Sequence, residues 1–383
     1  MPKLGDICVF QSGGTPSRSN ASYYKGEIPW ITTVSLTGGI IGTADAVEFI
    51  TEQAIKESAA KIVPAYSIMV GTRVGVGKVA INSVPMSTSQ DIISLLSIDE
   101  AKWDKEFLCK FIIGKSPYLN SQARGATIKG IKIETLANLE VPDISLDEQK
   151  HIAHVLNEVN TQLHLRTSQL EELDKLVKSR FIELFGDPVC NEKGWSMTAL
   201  SEMAEIRIGP FGTLLHKEDY ISGGHALVNP SHIVDGKICV DTNLSVSDEK
   251  YEELAAYHLS VGDIVLGRRG EMGRCAVVYE EGLLCGTGSL IIRPNNKMHP
   301  YFLKTIISSP TFKKTIEDKA VGVTMLNLNV PIVSSLVIPQ LPITMQEQFI
   351  EFMEHTDKLK LAVTEALTEL ETLKKSLMQQ YFG

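Results

Sequence analysis

The chain has 383 residues, 43% of them hydrophobic and 22% charged, which is enough apolar material for more than one core and excludes a low-complexity or disordered chain. Its formal charge of −9 disfavours a nonspecific, histone-like DNA binder but leaves room for a specific one, which needs only a local concentration of Lys and Arg on one face. No run approaches the ~18 apolar residues of a membrane helix, and the start MPKLGDICVF has no basic leader before an apolar stretch, so neither a membrane span nor secretion is expected.

In chain order, residues 1–144 read as a strand-dominated mixed α/β domain. IPWITTVSL, SIMVGTRVGVGKVAIN and DIISLLSI are short Val/Ile-rich runs punctuated by Gly, Pro, Asn and Ser, and KEFLCKFIIGK has the three-and-four spacing of a small helix. Residues 145–187 change character. Ser145 and Glu148 have capping-box spacing, and Leu156, Val159, Leu163, Arg166, Leu170, Leu173, Val177, Arg180 and Leu184 recur in steps of three and four, predicting a long helix with one apolar edge. Residues 188–342 repeat the first pattern in HALVNPSHIV, DIVLGRRGEMGRCAVVY, GSLIIRP and PYFLKTIIS. Residues 343–383 repeat the second, with Thr344 and Glu347 in the capping spacing and Leu359, Val363, Ala366, Leu370, Leu373 and Leu377 along the edge.

These echoes form a register. Thr127 falls on Thr324, Pro142 on Pro339, Gln149 on Gln346 and Phe185 on Phe382, all 197 residues apart, while VGTRVGVGKVA aligns with LGRRGEMGRCA 196 apart. The period is far longer than that of a solenoid repeat and fits a tandem duplication of a domain plus a connector. The expected fold is therefore α+β: two similar mixed α/β domains joined by two helices of about 38 residues, roughly 57 Å each. The helices are expected to form an antiparallel coiled coil with pseudo-twofold symmetry. Two similar globules held apart by a rigid spacer suit the reading of two sites on a linear polymer, and duplex DNA presents half-sites roughly 34 Å apart per helical turn.

The charge is distributed to match. Residues 1–146 balance 14 basic against 14 acidic side chains, and the acidity is densest in the two connectors. Cys8, Cys109, Cys190, Cys239, Cys275 and Cys285 show neither a CxxC pair nor zinc-module spacing, so buried reduced thiols and a cytoplasmic setting are expected.

The stretches GGTPSRSNASYYKGEIPWITTVSL, LDEQKHI, SQLEELDKLVKSRFIELFGDP, IGPFGTLLHKEDY and MQEQFI, spread over essentially the whole chain, resemble the DNA-specificity subunit of type I restriction-modification systems in that family's order of recognition domain, conserved helix, second recognition domain and conserved helix. The resemblance implies two target recognition domains, each reading half of a bipartite site on double-stranded DNA. It also implies conserved helices that set the spacing and dock two methyltransferase subunits, with restriction-translocase subunits completing the nuclease. It implies no catalytic residue and no cofactor in this chain, with S-adenosylmethionine, ATP and Mg expected on the partner subunits.

Candidate DNA-binding residues centre on the glycine-bracketed basic loops. Gly71, Arg73, Gly75, Gly77 and Lys78 correspond to Gly267, Arg268, Arg269, Gly270, Gly273 and Arg274; glycine lets backbone approach a partner, and Arg can fork onto guanine or phosphate. Where the family places its DNA-facing loops stand Thr15, Arg18, Thr32, Thr33 and Ser35, and His216, Lys217, Asn229, Ser231 and His232. Arg124, Lys129 and Lys132, with Lys319 and Asn327 in the second copy, are placed to hold phosphate. The alternatives are a protein-only scaffold acting through its coiled coil, or a stand-alone methyltransferase or nuclease. Asp143, Glu148 and Lys150 mimic a nuclease motif, but Glu148 is committed to a helix cap and Gln340 replaces Asp143 in the second copy. His151 and His154 lack a third metal ligand, and no glycine motif opens a nucleotide-binding βαβ unit.

Overall fold

The computed structural model describes residues 1–125, 129–211, 214–322 and 326–383. Thr127 and Thr324, matched above, lie outside the described residues. The chain divides into two compact units, Met1–Ser168 with Val363–Gly383, and Gln169–Ala362.

The first unit is built on a five-stranded sheet in the order Val9–Ser12, Ile92–Leu96, Ile68–Gly71, Val79–Asn82, Ile40–Ile41, antiparallel except for the last pair. Its central strand shows why the Val/Ile run folds this way. Ile68 and Val70 point to one face and join the core with Phe107 and Phe111 of the helix Lys105–Gly114, while Met69 points to the other face with Ile31, Ile41 and Ile92. A two-residue side-chain period with both faces covered requires an unbroken apolar strand. In a second sheet, Ile28–Ile31 pairs antiparallel with Glu48–Ile50 and parallel with Met86–Thr88.

The second unit repeats this plan. Its main sheet runs Ala204–Ile208, Ser289–Pro294, Ile264–Gly267, Cys275–Val277, matching the first four strands above. Again Ile264 and Leu266 face one core and Val265 the other. His225–Val228 pairs antiparallel with Ser245–Val246 and parallel with Leu284–Cys285, the same mixed arrangement. The duplication read from spacing thus extends to strand order and direction.

The two long helices are Leu146–Phe185 and Ile343–Phe382, 40 residues each, or about 60 Å. Each unit holds the start of one and the end of the other. In the first unit, Ile152, Ala153 and Leu156 share a core with Leu377, Met378 and Phe382. In the second, Phe349 and Ile350 share one with Phe181 and Phe185. The recurring phenylalanine at each helix end is a plug. The Phe382 ring lies 5.5 Å from Phe107 and 5.9 Å from Phe111; Phe185 lies 4.9 Å from Phe302 and 5.6 Å from Phe349. Lys115 Nζ also donates to the Phe382 carbonyl.

The recurring glutamine has an equally specific cause. Gln149 Oε1 accepts from the Asp104 N–H at 2.9 Å, and its amide donates to the carbonyls of Lys102 and Ile144 at 3.0 and 3.1 Å. Gln346 does the same with the His299 N–H, Lys297 and Leu341 at 2.8, 3.0 and 2.9 Å. Both side chains are buried, and each ties the first turn of a long helix to its own domain. Gln346→Leu should cost about 2–4 kcal/mol, because it strands a buried N–H and two carbonyls, and chemical denaturation of the variant checks this.

Three expectations need correction. Ser145 does cap the first helix, its Oγ accepting from the Glu148 N–H at 3.2 Å, but the second helix begins at Ile343, so Thr344 lies inside the first turn and no capping box is centred on it. On the second helix the buried edge runs through Thr356 and Val363 (3% and 6% exposed) to half-buried Leu370 and Leu377, whereas Leu359 and Leu373 are 57% and 47% exposed. The intermediate edge positions belong to Lys360, whose ammonium lies 2.7 Å from Asp174, and Lys374. A lysine stem covers apolar surface while its head stays polar, so counting apolar residues alone shifts the edge by one. Lastly, Cys190 and Cys239 are exposed, while the other four thiols are buried. No described helix is long and apolar enough to cross a membrane.

Candidate nucleic-acid interface

In the first unit the loop between the strands Ile68–Gly71 and Val79–Asn82 is closed by its own backbone. Gly71 N–H donates to Lys78 O at 2.8 Å, Gly77 N–H to Gly71 O at 3.0 Å and Lys78 N–H to Gly75 O at 3.0 Å. Gly77 has φ +79° and its counterpart Gly273 φ +74°; a side chain in this left-handed region is strained, and an added Cβ would collide with the side chain of Ser116 in one unit and of Lys313 in the other. The glycines therefore set the loop's shape and leave Arg73 projecting.

Beside the loop stands a small hairpin. Arg124 and Gly130 exchange backbone hydrogen bonds of 2.9 and 3.0 Å, and the Ile131 N–H donates to Thr72 O at 2.8 Å. Together these form a concavity of about 490 Å³ walled by Arg73, Gln122, Arg124, Lys132 and Thr135. Arg73 is exposed, 3.8 Å from Asp91, so its guanidinium can turn to a ligand.

The second unit repeats the construction. Val321 and Asn327 exchange bonds of 3.1 and 2.8 Å, and the Leu328 N–H donates to Arg268 O at 2.9 Å. The resulting concavity, about 510 Å³, is lined by Arg269, Val321, Gly322 and Asn327. Arg268 is 9% exposed and its Nε donates to Asn327 Oδ1 at 3.1 Å; burial, then the neighbouring Arg269 charge, lowers its pKa. Of the adjacent arginines, Arg268 braces the hairpin and exposed Arg269 is available.

The structure thus brings Arg73 together with Arg124, and Arg269 together with Asn327. Lys129 and Lys319 are exposed near these hairpins. Arg274 is engaged by Glu271 and the Pro230 carbonyl at 2.9 and 3.3 Å, and Lys78 lines a different pocket. Arg18 is exposed, paired with Glu48 at 2.6 Å and stacked 4.3 Å from the Tyr24 centroid. Thr15, Thr32 and Asn229 are half-buried, and His216, Lys217 and Ser231 exposed. Thr33, Ser35 and His232 turn inward: Ser35 Oγ donates to Asp45 O at 2.7 Å, and His232 Nδ1 lies 2.7 Å from Leu227 O. Gln122 and Thr135 were not singled out from sequence, since only the hairpin's fold carries them to the loop. Among the described residues no His, Cys, Asp and Glu cluster could hold a metal.

Two mixed-sheet units of matching strand order, each with an exposed arginine beside a hairpin concavity and each holding part of both long helices, define a tandemly duplicated protein. The sequence profile of the type I restriction modification DNA specificity domain matches residues 1–175 and 192–374, and the chain belongs to that family. It is 22% identical to the type I restriction enzyme MjaVIII specificity subunit of Methanocaldococcus jannaschii, over 98% of this chain and 90% of that protein. It is 27% identical to the MjaIX specificity subunit of the same organism, over 70% of this chain and 66% of that protein. A chain from a type I restriction-modification complex, solved in work on assembly and conformational transition, shares the fold with a TM-score of 0.67 and 16% identity, covering 99% of this chain and 96% of that one.

Proposed function

We propose that the chain is the DNA-reading subunit of a type I restriction-modification complex, with no catalysis of its own. Each unit presents its loop and hairpin to one half of a bipartite duplex target. The long helices set the spacing of the halves and dock two methyltransferase subunits, to which restriction-translocase subunits attach. S-adenosylmethionine, ATP and Mg belong to those partners. The observation that carries this reading is the recurrence, in both units, of an exposed arginine on a glycine-shaped loop against a basic or polar hairpin: Arg73 with Arg124, and Arg269 with Asn327. An arginine that forks onto a base edge discriminates by roughly 1–3 kcal/mol, whereas a lysine on phosphate adds affinity without sequence.

Arg269→Ala should therefore weaken binding to the cognate duplex by about 1–3 kcal/mol and relax preference in one half-site only, whereas Lys129→Ala should lower the salt slope by about one across all sequences. Fluorescence anisotropy of the complex with methyltransferase subunits at several salt concentrations measures both. Leu170 and Leu370 are half-buried on the long helices. Leu170→Asp or Leu370→Asp should uncouple the units, so that a duplex with both half-sites binds no better than one with a single half-site; unchanged two-site binding would count against the helices as the spacer.

A further inference from the structure

A second basic pocket, about 540 Å³, lies in the first unit between the loop at Gly38 and Gly39, the turn at Gly77, the helix Lys105–Gly114 and segments of both long helices. Its charged wall is Lys78, Lys110 and Lys374, joined by Asn157, Asn160 and Thr161. Lys110 is only 8% exposed. Among the described residues, none of the three ammonium groups has a hydrogen-bond partner or a carboxylate within ion-pair distance. Glu106, one turn before Lys110, accepts from Asn157 Nδ2. Glu371, one turn before Lys374, is the nearer acid on that helix, yet burial and the Lys110 charge outweigh it and lower the Lys374 pKa. Lys110 is buried and Lys374 half-buried, while Lys78 is exposed; holding an unpaired ammonium group out of water is costly, so the chain by itself leaves this site short of negative charge.

The second unit supplies a built-in comparison. A basic pocket of about 500 Å³ beside the equivalent loop holds Arg274, the counterpart of Lys78, with Lys304 and Lys313, and no described residue of the long helices lines it. There Glu271 pairs with two of the three cations, 2.9 Å from Arg274 and 2.9 Å from Lys313. In the 196-residue register the position of Glu271 is occupied in the first unit by Gly75. The cation beside this loop thus has a carboxylate partner in the second unit, Glu271 on Arg274, and none among the described residues within ion-pair distance at Lys78 in the first.

We infer that the pocket bounded by Lys78, Lys110 and Lys374 binds a phosphate-type oxyanion. Three lysines lining one pocket suit a multiply charged phosphate better than a single carboxylate, lysine is an effective point-charge partner for phosphate, and the volume lies in the ~300–1,000 Å³ range of small-molecule sites. The phosphate comes either from a free phosphate compound or from the backbone of a bound duplex.

The test titrates the full chain with inorganic pyrophosphate by calorimetry. One saturable site is expected, weakened roughly tenfold or more by Lys110→Gln and by Lys374→Gln, as loss of a charge-assisted hydrogen bond requires, and unchanged by Lys304→Gln. A second variant guards against misfolding: Lys110→Met should raise the melting temperature of the unliganded chain, by removing an unpaired buried charge, and abolish the rise that pyrophosphate produces. Competition by a random-sequence duplex assigns the phosphate to DNA backbone; independence from duplex assigns it to a free compound. Absence of saturable binding, binding retained in both glutamine variants, or a lower melting temperature in Lys110→Met would overturn the assignment. The DNA reading above is tested separately, through Arg269.

Discussion

Phe382→Ala should destabilise the first unit by about 3–5 kcal/mol, the usual cost of emptying a phenylalanine-sized site in a packed core. Phe382 is 4% exposed and fills the space between the rings of Phe107 and Phe111. Its loss also frees the end of the second long helix from the domain that precedes the first. Because the helix belongs at its other end to the second unit, the expected result is more than reduced stability. Two-site DNA binding should fall while each unit keeps its own sheet. Calorimetric unfolding of the variant, read beside its affinity for duplexes with one or two half-sites, checks both parts. Phe185→Ala is the symmetric experiment, and its loss should appear in the second unit, where Phe185 is 2% exposed.

Arg293→Met is the second large effect. Asp263 is 1% exposed, and Arg293 holds it with two bonds, Nε at 2.7 Å and Nη2 at 2.6 Å, while the Ser260 N–H donates to it at 2.9 Å. The pairing with Asp263 raises the arginine's pKa. Replacing the arginine leaves a buried carboxylate with one remaining donor, which costs about 3–5 kcal/mol. The double variant Asp263→Leu/Arg293→Met, with no charge left behind, should recover most of that loss. Urea unfolding of the two variants separates an unpaired charge from lost packing, since only the former is rescued.

How much of this was legible in the sequence follows from how local each cause is. Strand runs such as Ile68–Gly71 and the long helices could be read because their periodicity is a property of neighbouring residues. The repeated Gln149 and Gln346 were visible as a pair, but their role was not: each bonds the backbone of residues 102–104 or 297–299, more than forty positions away. The edge of the second helix was placed one residue off because Lys360 and Lys374 were counted as surface. Only the facing Asp174 and the pocket beside Lys110 show what those lysines meet. In the basic loops, Arg268 and Arg269 look equivalent in sequence. Asn327, brought in by a distant hairpin, takes Arg268 inward and leaves Arg269 outside.

The most direct measurement is selection of bound duplexes from a random library by the full chain with its methyltransferase subunits. The account predicts two short conserved blocks separated by a nonconserved spacer of fixed length, with Arg269→Ala degrading one block and Arg73→Ala the other. A single contiguous motif, a spacer of variable length, or no enrichment at all would contradict it.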